Sequence, residues 1–335
     1  MKKRARGKGQ GADSLFTIHY SLPSERGIAL MMVLWVLVLL SIISLNYFSS
    51  NRWNTAGTRN LKEETISYYM AMSGYQEAVN YILSDKDPSF DFIDSEGNFW
   101  TDIDANTRPV TGKLTTEDGE LEIRITDENA RININKADAN RLRNLFLYMG
   151  IPDEAITELQ DCIFDWKDAD DAHLLSGAES DYYEELEEPY TAKDRIFDVP
   201  EELALVKGML PEYFKSGDDG KSLLQFITTF GGNTVNINTV STEVMQILGL
   251  DDSEIEAVMK QRTVESGGFK FIPPQFSSKG LNAIATQNFR VEVLAKTKNS
   301  NLGMKIVAVL NRTSGPEGFK IQTLYWREDA ENIRG

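Results

Sequence analysis

The stretch "SERGIALMMVLWVLVLLSIISLNYF", residues 24–48, decides how the rest of the chain is read. Charge stops at Arg26, and the 21 residues Ile28–Phe48 that follow Gly27 carry none, with Ser41, Ser44 and Asn46 as their polar members. As a helix rising 1.5 Å per residue, such a run covers about 30 Å, the hydrocarbon thickness of a bilayer. Lys2, Lys3, Arg4, Arg6, Lys8 and Arg26 against Asp13 and Glu25 give the preceding segment +4. That bias keeps it in the cytoplasm and sends the body across the membrane. The chain as a whole carries −16, so everything after residue 27 carries −20. A body so anionic repels phosphate backbones and argues against nucleic-acid binding, while its acidic clusters suit hard cations such as calcium.

The 335 residues are enough for two domains, give or take one. Cys162 is the one cysteine, so no internal disulfide forms, and a small buried residue is the plain reading of it. His19 and His173 fall in the leader and in an acidic loop, leaving no Ser–His–Asp or Cys–His pair for nucleophilic catalysis. Three readings of the apolar run compete. A cleaved secretory signal needs a small-residue site after it, and none appears near Ser44–Ser50. A plain signal anchor needs nothing special at Gly27. The third is a leader cut before the apolar run, and here the stretch resembles the class III signals of type IV pilins and pseudopilins. That resemblance implies cleavage between Gly27 and Ile28, with Ile28 as the N-methylated new terminus. It also implies a glutamate at the fifth mature position, where this chain has Met32. An ionised carboxylate there would cost about 2.5–3.5 kcal/mol at mid-bilayer, recovered only from a partner's amine. A subunit with methionine forgoes that contact and suits the start, hence the tip, of a filament.

No proline occurs from Ile28 until Pro88, and one helix from about Ile28 to Leu83 is expected. Leu61, Thr65, Tyr69, Met72 and Gln76, with Ile66, Met70, Ser73 and Ala78–Val79, form a mixed, helix-compatible stripe. Beyond it, Lys113–Thr116 and Glu120–Thr126 flank Asp118-Gly119, a two-residue hairpin signal. Comparable strands return only near the C-terminus, at Phe289–Val293, "MKIVAVL" (304–310) and "IQTLYW" (321–326). If these share a sheet behind one helix, a segment of about 127–286 is inserted between them. It contains a repeat, "RININKADANRLRNLFLYMGIPDEAITELQDCIFDWK" (131–167) and "TVNINTVSTEVMQILGLDDSEIEAVMKQR" (234–262). Each has an I/V-N-I-N segment, a polar helix cap (Asp138, Ser241), an apolar helix, a glycine turn (Gly150, Gly249), an acidic cap and a second helix. This is a helix-hairpin-helix pattern. Acids after each glycine (Pro152-Asp153-Glu154, Asp251-Asp252) would repel phosphate and leave the hairpins a packing role.

Between the repeats, Asp165, Asp168, Asp170, Asp171, Glu179, Asp181, Glu184 and Glu185 crowd into 21 positions with Lys167 as the internal counter-charge. A solvated acidic loop and a calcium site are both compatible with this run. A cation taking six to eight oxygens would relieve the repulsion, and Asp165, Asp168, Asp170, Asp171, Glu179, Asp181 and Glu184 are the candidate ligands. The spacing is not that of an EF-hand.

Together, the Gly27/Ile28 junction without an acidic fifth residue, "DWKDADD", "GAESDYYEELEEPYTAKD", "ELALVKGM", "VNINTVSTEVM" and "FRVEVLAKTK…IVAVLNR…LYWRE" resemble the minor pseudopilin K family of the type II secretion system. The resemblance runs in order from about Arg26 to Arg327. It implies an α+β fold: a long N-terminal transmembrane, pilin-like helix on a small antiparallel sheet, with a large mainly helical domain inserted in the sheet. The expected layout is a cleaved leader (1–27), a helix (28–83, with 28–48 in the membrane), a head (84–126 and 287–327), an insert (127–286) and a tail (328–335). It implies processing by the prepilin peptidase, and a tip complex with minor pseudopilins I and J above the major pseudopilin. The helix would sit singly in the inner membrane, with the body in the periplasm and contact with secreted proteins open. Calcium in the insert is implied too, but the paired cysteines some members use there are absent. The role is mechanical, with no catalytic residue and no catalytic cofactor. The alternative is a membrane-anchored minor pilin that binds through its hairpins, for DNA uptake or adhesion.

Overall fold

The computed structural model describes residues 26–101, 108–215, 220–298, 302–316 and 318–332; the rest of the expected leader and the last three residues lie outside them. The chain divides into two compact units, 1–60 and 61–335, each taken here by itself. Helix α1 is Arg26–Leu83 and starts in the first unit, with Gly27 and Ile28 in its opening turn. There the large apolar side chains from Leu30 to Phe48 are all half or more exposed, Met32 at 61% and Trp35 at 73%, so none of the described residues of the unit covers them. By length and composition this helix is apolar enough to cross a membrane. The Ser41 hydroxyl donates to the Leu37 carbonyl at 2.8 Å, which keeps that polar group satisfied without water.

In the second unit, α1 is followed by the short pair β1 (Phe92–Ile93) and β2 (Phe99–Trp100), then β3 (Gly112–Thr115) and β4 (Gly119–Asp127). The chain then leaves the sheet for 160 residues, numbers 128–287, and returns through β9 to β11. Within this excursion lie β5 (Ile132–Asn133), α2 (Ala139–Tyr148), α3 (Asp153–Lys167), α4 (Ser180–Glu184), α5 (Leu223–Phe226) and β6 (Ile227–Thr228). After them come β7 (Val235–Asn236), α6 (Thr242–Ile247), α7 (Asp252–Gln261), α8 (Pro274–Ser277) and β8 (Leu281–Ala283). Strands β9 (Asn288–Thr297), β10 (Leu302–Gly315) and β11 (Gly318–Asn332) complete an antiparallel sheet of order β11-β10-β9-β4-β3. β11 runs through 328–332, so most of the expected tail is strand.

The sheet's inner face (Leu121, Ile123, Ile125, Val291, Val293, Ile306, Ala308) packs on the end of α1 in one apolar core. The helix side of that core differs from the expected stripe. Leu61 and Tyr69 are exposed at 66% and 65%, whereas Ala78 and Val79 are buried as expected, together with Ser67, Ala71, Gly74 and Ile82, which the stripe left out. Small side chains let the helix backbone approach the sheet, so size does not mark the buried face here. Gly119 also differs in its reason. The connection is 116–119, closed by the Thr116 amide on the Gly119 carbonyl at 2.8 Å. Gly119 is needed because a Cβ there would run into the Lys296 carbonyl of β9.

Both crossings into the insert are fixed by buried carboxylates. Asp127, at the end of β4, accepts from the Asn129 amide (2.8 Å), Asn236 Nδ2 (2.8 Å), Thr239 Oγ1 (2.9 Å) and Thr286 Oγ1 (3.0 Å). Burial pushes its carboxyl up to about 6 against those four donors. On the return side, Arg312 pairs with Asp85 and lies 3.5 Å from Asp91, which accepts the Thr286 amide at 2.8 Å.

Candidate functional site

The insert has its own core, and the two repeats build it in the same way. Ile132 and Ile134, like Val235 and Ile237, are buried in it. The strands are only two or three residues long and pair in parallel, β5 with β6 and β7 with β8. The asparagines of the I/V-N-I-N segments explain why. Asn135 Nδ2 donates to the Phe197 carbonyl (2.9 Å) and its Oδ1 accepts the Phe197 amide (2.8 Å). Asn238 does the same with Phe269, at 2.9 and 2.7 Å. Each side chain stands in for a strand neighbour's peptide group, and a third residue of pairing is made by an amide side chain.

Helix capping is as the sequence leads one to expect. Asp138 accepts from the Arg141 amide at 2.8 Å and Ser241 from the Val244 amide at 3.3 Å. Gly150 and Gly249, at φ +74° and +81°, follow α2 and α6 in the left-handed conformation. Their amides donate to Leu147 and Gln246, and those of Ile151 and Leu250 to Phe146 and Met245. The turn amides that a nucleic-acid-binding hairpin would offer to phosphate are therefore spent on the helix ends. Asp153 pairs with Arg143, and Asp251 closes a capping box with Glu254, so the acids after the turns also hold structure.

The acidic segment wraps the C-terminal end of α3. Asp165, on that helix and fully buried, accepts the Leu174 amide at 3.1–3.2 Å. Gly177 passes so close that a Cβ there would collide with the Asp165 carboxylate. Glu179, the N-cap of α4, is 3% exposed, and both of its carboxylate oxygens lack a hydrogen-bond partner. Burial, then Asp165, Asp168, Asp194 and Asp171, push its carboxyl up to about 7. Asp165 and Asp168 are likewise raised, by burial first. A groove of about 510 Å³ opens beside Glu179 and Asp181.

Of the seven candidate ligands, Asp165, Asp168, Asp170, Asp171 and Glu179 thus share one electrostatic neighbourhood. Asp170 and Asp181 are exposed and cap local amides, Ala172 and Tyr182, and Glu184 is exposed on α4. Asp194 belongs to the neighbourhood and was not among the candidates. It holds φ +52°, alone among the non-glycine residues described. Lys167 feels the charge of Asp168, but its Nζ reaches the Ile134 carbonyl (3.4 Å) and lies 4.8 Å over the Phe164 ring, so it makes no ion pair with the acids. Among the described residues no three His, Cys, Asp or Glu side chains are already assembled around one ligating point. The donor set still fits a hard cation: oxygen only, two buried orphan oxygens on Glu179, and no cation among the residues that perturb it.

The one cysteine is not poised as a nucleophile. The Cys162 thiol donates to the Ser176 carbonyl at 3.5 Å, and burial pushes it up to about 12.

Comparison with known proteins gives a consistent result. Residues 118–216 match the family model described as "Type II secretion system (T2SS), protein K". The type II secretion system protein K of Pseudomonas aeruginosa is 26% identical over 342 aligned residues, covering 91% of this chain and 98% of that protein. The protein of the same name from Aeromonas hydrophila is 26% identical over 267, covering 70% and 76%. The crystal structure of the GspK-GspI-GspJ complex from the enterotoxigenic Escherichia coli type 2 secretion system matches with a TM-score of 0.58. That match covers 81% of this chain and 99% of the other at 15% identity, and so speaks for the fold.

Proposed function

We infer that this chain, whose residues 118–216 match the type II secretion system protein K family model, is a minor pseudopilin of that system. The observation that carries the reading is the alignment to the Pseudomonas aeruginosa protein K over 91% of this chain and 98% of that protein. The alternative, a DNA-binding or adhesive hairpin module, is not favoured, because the hairpin amides are already bonded and the body is anionic.

In this function the chain is cut between Gly27 and Ile28, is held singly in the inner membrane by the apolar helix, and places its body in the periplasm. Met32 brings no carboxylate to the membrane, so the chain needs no amine partner beneath an incoming subunit and starts the filament. Minor pseudopilins I and J associate with it, as the solved complex shows for its own three chains. The wide insert between β4 and β9 caps the tip, and the role is mechanical, not enzymatic. Calcium, when bound, supplies positive charge to the acidic neighbourhood. Glu179, Asp165, Asp168 and Asp171 would hold it, joined by Asp194, and Gly177 leaves room for the Asp165 carboxylate.

The test is co-purification of the full chain, solubilised in a mild detergent, with I and J from the same organism. A stable complex of the three is expected. A folded chain that recovers neither partner overturns the reading.

A further inference from the structure

The sheet's outer face, opposite α1, borders a groove of about 690 Å³ whose other wall is the insert. In a body carrying −20, this groove has the opposite sign. Arg124, Arg131, Lys221, Arg290, Lys305 and Arg327 line it. Glu201, Glu243 and Glu292 line it as well, Glu128 lies buried beneath, and Asp329 holds Arg327 Nε at 2.7 Å, which leaves the groove one charge positive.

The register explains how the cations gather. Arg124 on β4 faces Glu292 on β9, Glu292 faces Val307 on β10, and Val307 faces Arg327 on β11, so one row crosses four strands. Beside it, Arg131 Nη1 (3.2 Å) and Arg290 Nε donate to the same oxygen, Glu128 Oε1. Two guanidiniums thus share one carboxylate, and each has five N–H donors, most of them unused by Glu128. Lys221 is steadied 4.4 Å over the Tyr148 ring, with its Nζ 3.3 Å from that residue's carbonyl.

We propose that this groove docks an acidic segment of a partner protein, with several Asp or Glu side chains entering the arginine row. Planar guanidiniums match carboxylates in paired hydrogen bonds. The anionic surface around the groove repels a carboxylate everywhere else, which gives the site both location and specificity. A nucleic-acid duplex is a poor occupant, because its continuous charge would have to cross that surface. The proposal stands on the groove alone, whether or not the chain joins a pseudopilus.

The test uses the full chain in non-ionic detergent and a fluorescein-labelled ten-residue Asp/Glu peptide, read by anisotropy at 0.15 M salt. Saturable binding is expected, weakened at least tenfold in the Arg124→Glu/Arg327→Glu double variant. The control is Lys113→Glu, which makes the same kind of charge reversal on exposed β3 and should stay within twofold of the parent. Arg124→Gln alone, an exposed and gentler change, should weaken binding about threefold and covers the case of a misfolded double variant. Three results overturn the proposal. The peptide fails to bind the parent, Lys113→Glu weakens it as much as the double variant, or inorganic polyphosphate binds in the groove where the peptide does not.

Discussion

Glu179 is a buried carboxyl with no partner, and its protonation is linked to folding. Its folded value of about 7 lies above the ordinary 4.5, so the folded chain holds this proton more tightly than the unfolded one. Stability from this group is then full below about pH 4.5 and is lost as pH rises through about 7. Calcium, if bound as proposed, would reverse the preference, because it favours the ionised form. The melting temperature of the metal-free protein should fall between pH 5 and 7.5, and calcium but not magnesium should restore it. Glu179→Gln should flatten that pH dependence and remove the calcium response; a calcium response that survives the change would exclude Glu179 as a ligand. At Gly177 the argument is steric. Gly177→Ala places a methyl against the Asp165 carboxylate and should cost about 1–3 kcal/mol in denaturant unfolding, with calcium affinity falling alongside. The acidic run was visible in the sequence as a count of charges. Its selection of Asp165, Asp168, Asp171, Glu179 and Asp194 was not, because burial and the left-handed turn at Asp194 are properties of the folded loop.

Among the elements, the insert's repeat was legible down to its caps and glycine turns. The asparagines were not, since their partners Phe197 and Phe269 lie 62 and 31 residues away. Asn135→Ala and Asn238→Ala each strip three side-chain hydrogen bonds, two of them to one phenylalanine's backbone. Each should destabilise by about 1–3 kcal/mol, measured by urea unfolding, whereas exposed Asn80→Ala on α1 should be near neutral. The α1 stripe was only partly right for a related reason: Met70, Met72, Ala78 and Val79 meet the core, while Leu61 and Tyr69 do not. A periodic pattern identifies a helix, but which face is buried depends on how closely the sheet approaches, and here small residues permit the contact. At the start of that helix, a bulkier residue at Gly27 should leave the leader attached in cells with the prepilin peptidase. N-terminal sequencing of the parent should begin at Ile28, and a start near residues 45–55 would mean an ordinary signal peptide.

For the whole molecule, the alternating strands revealed the sheet, and the long gap between them revealed that something large interrupts it. What interrupts it also governs when the sheet can form. Asp127 and Phe289 are direct neighbours across β4 and β9, yet 161 residues of chain lie between them. Closing so long a loop before anything inside it is ordered is entropically unfavourable and slow. Folding of the intervening segment first would bring the two strand ends to neighbouring positions and turn a distant encounter into a local one. Pulse-labelled hydrogen exchange during refolding should then protect amides of α2, α3 and α7 before those of β9 and β10. On the ribosome the same order holds with more force: β4 emerges long before its mate, and for that interval its apolar face depends on α1 and on β3 for cover. The appendage that broadens the finished protein is thus also the timer of its assembly.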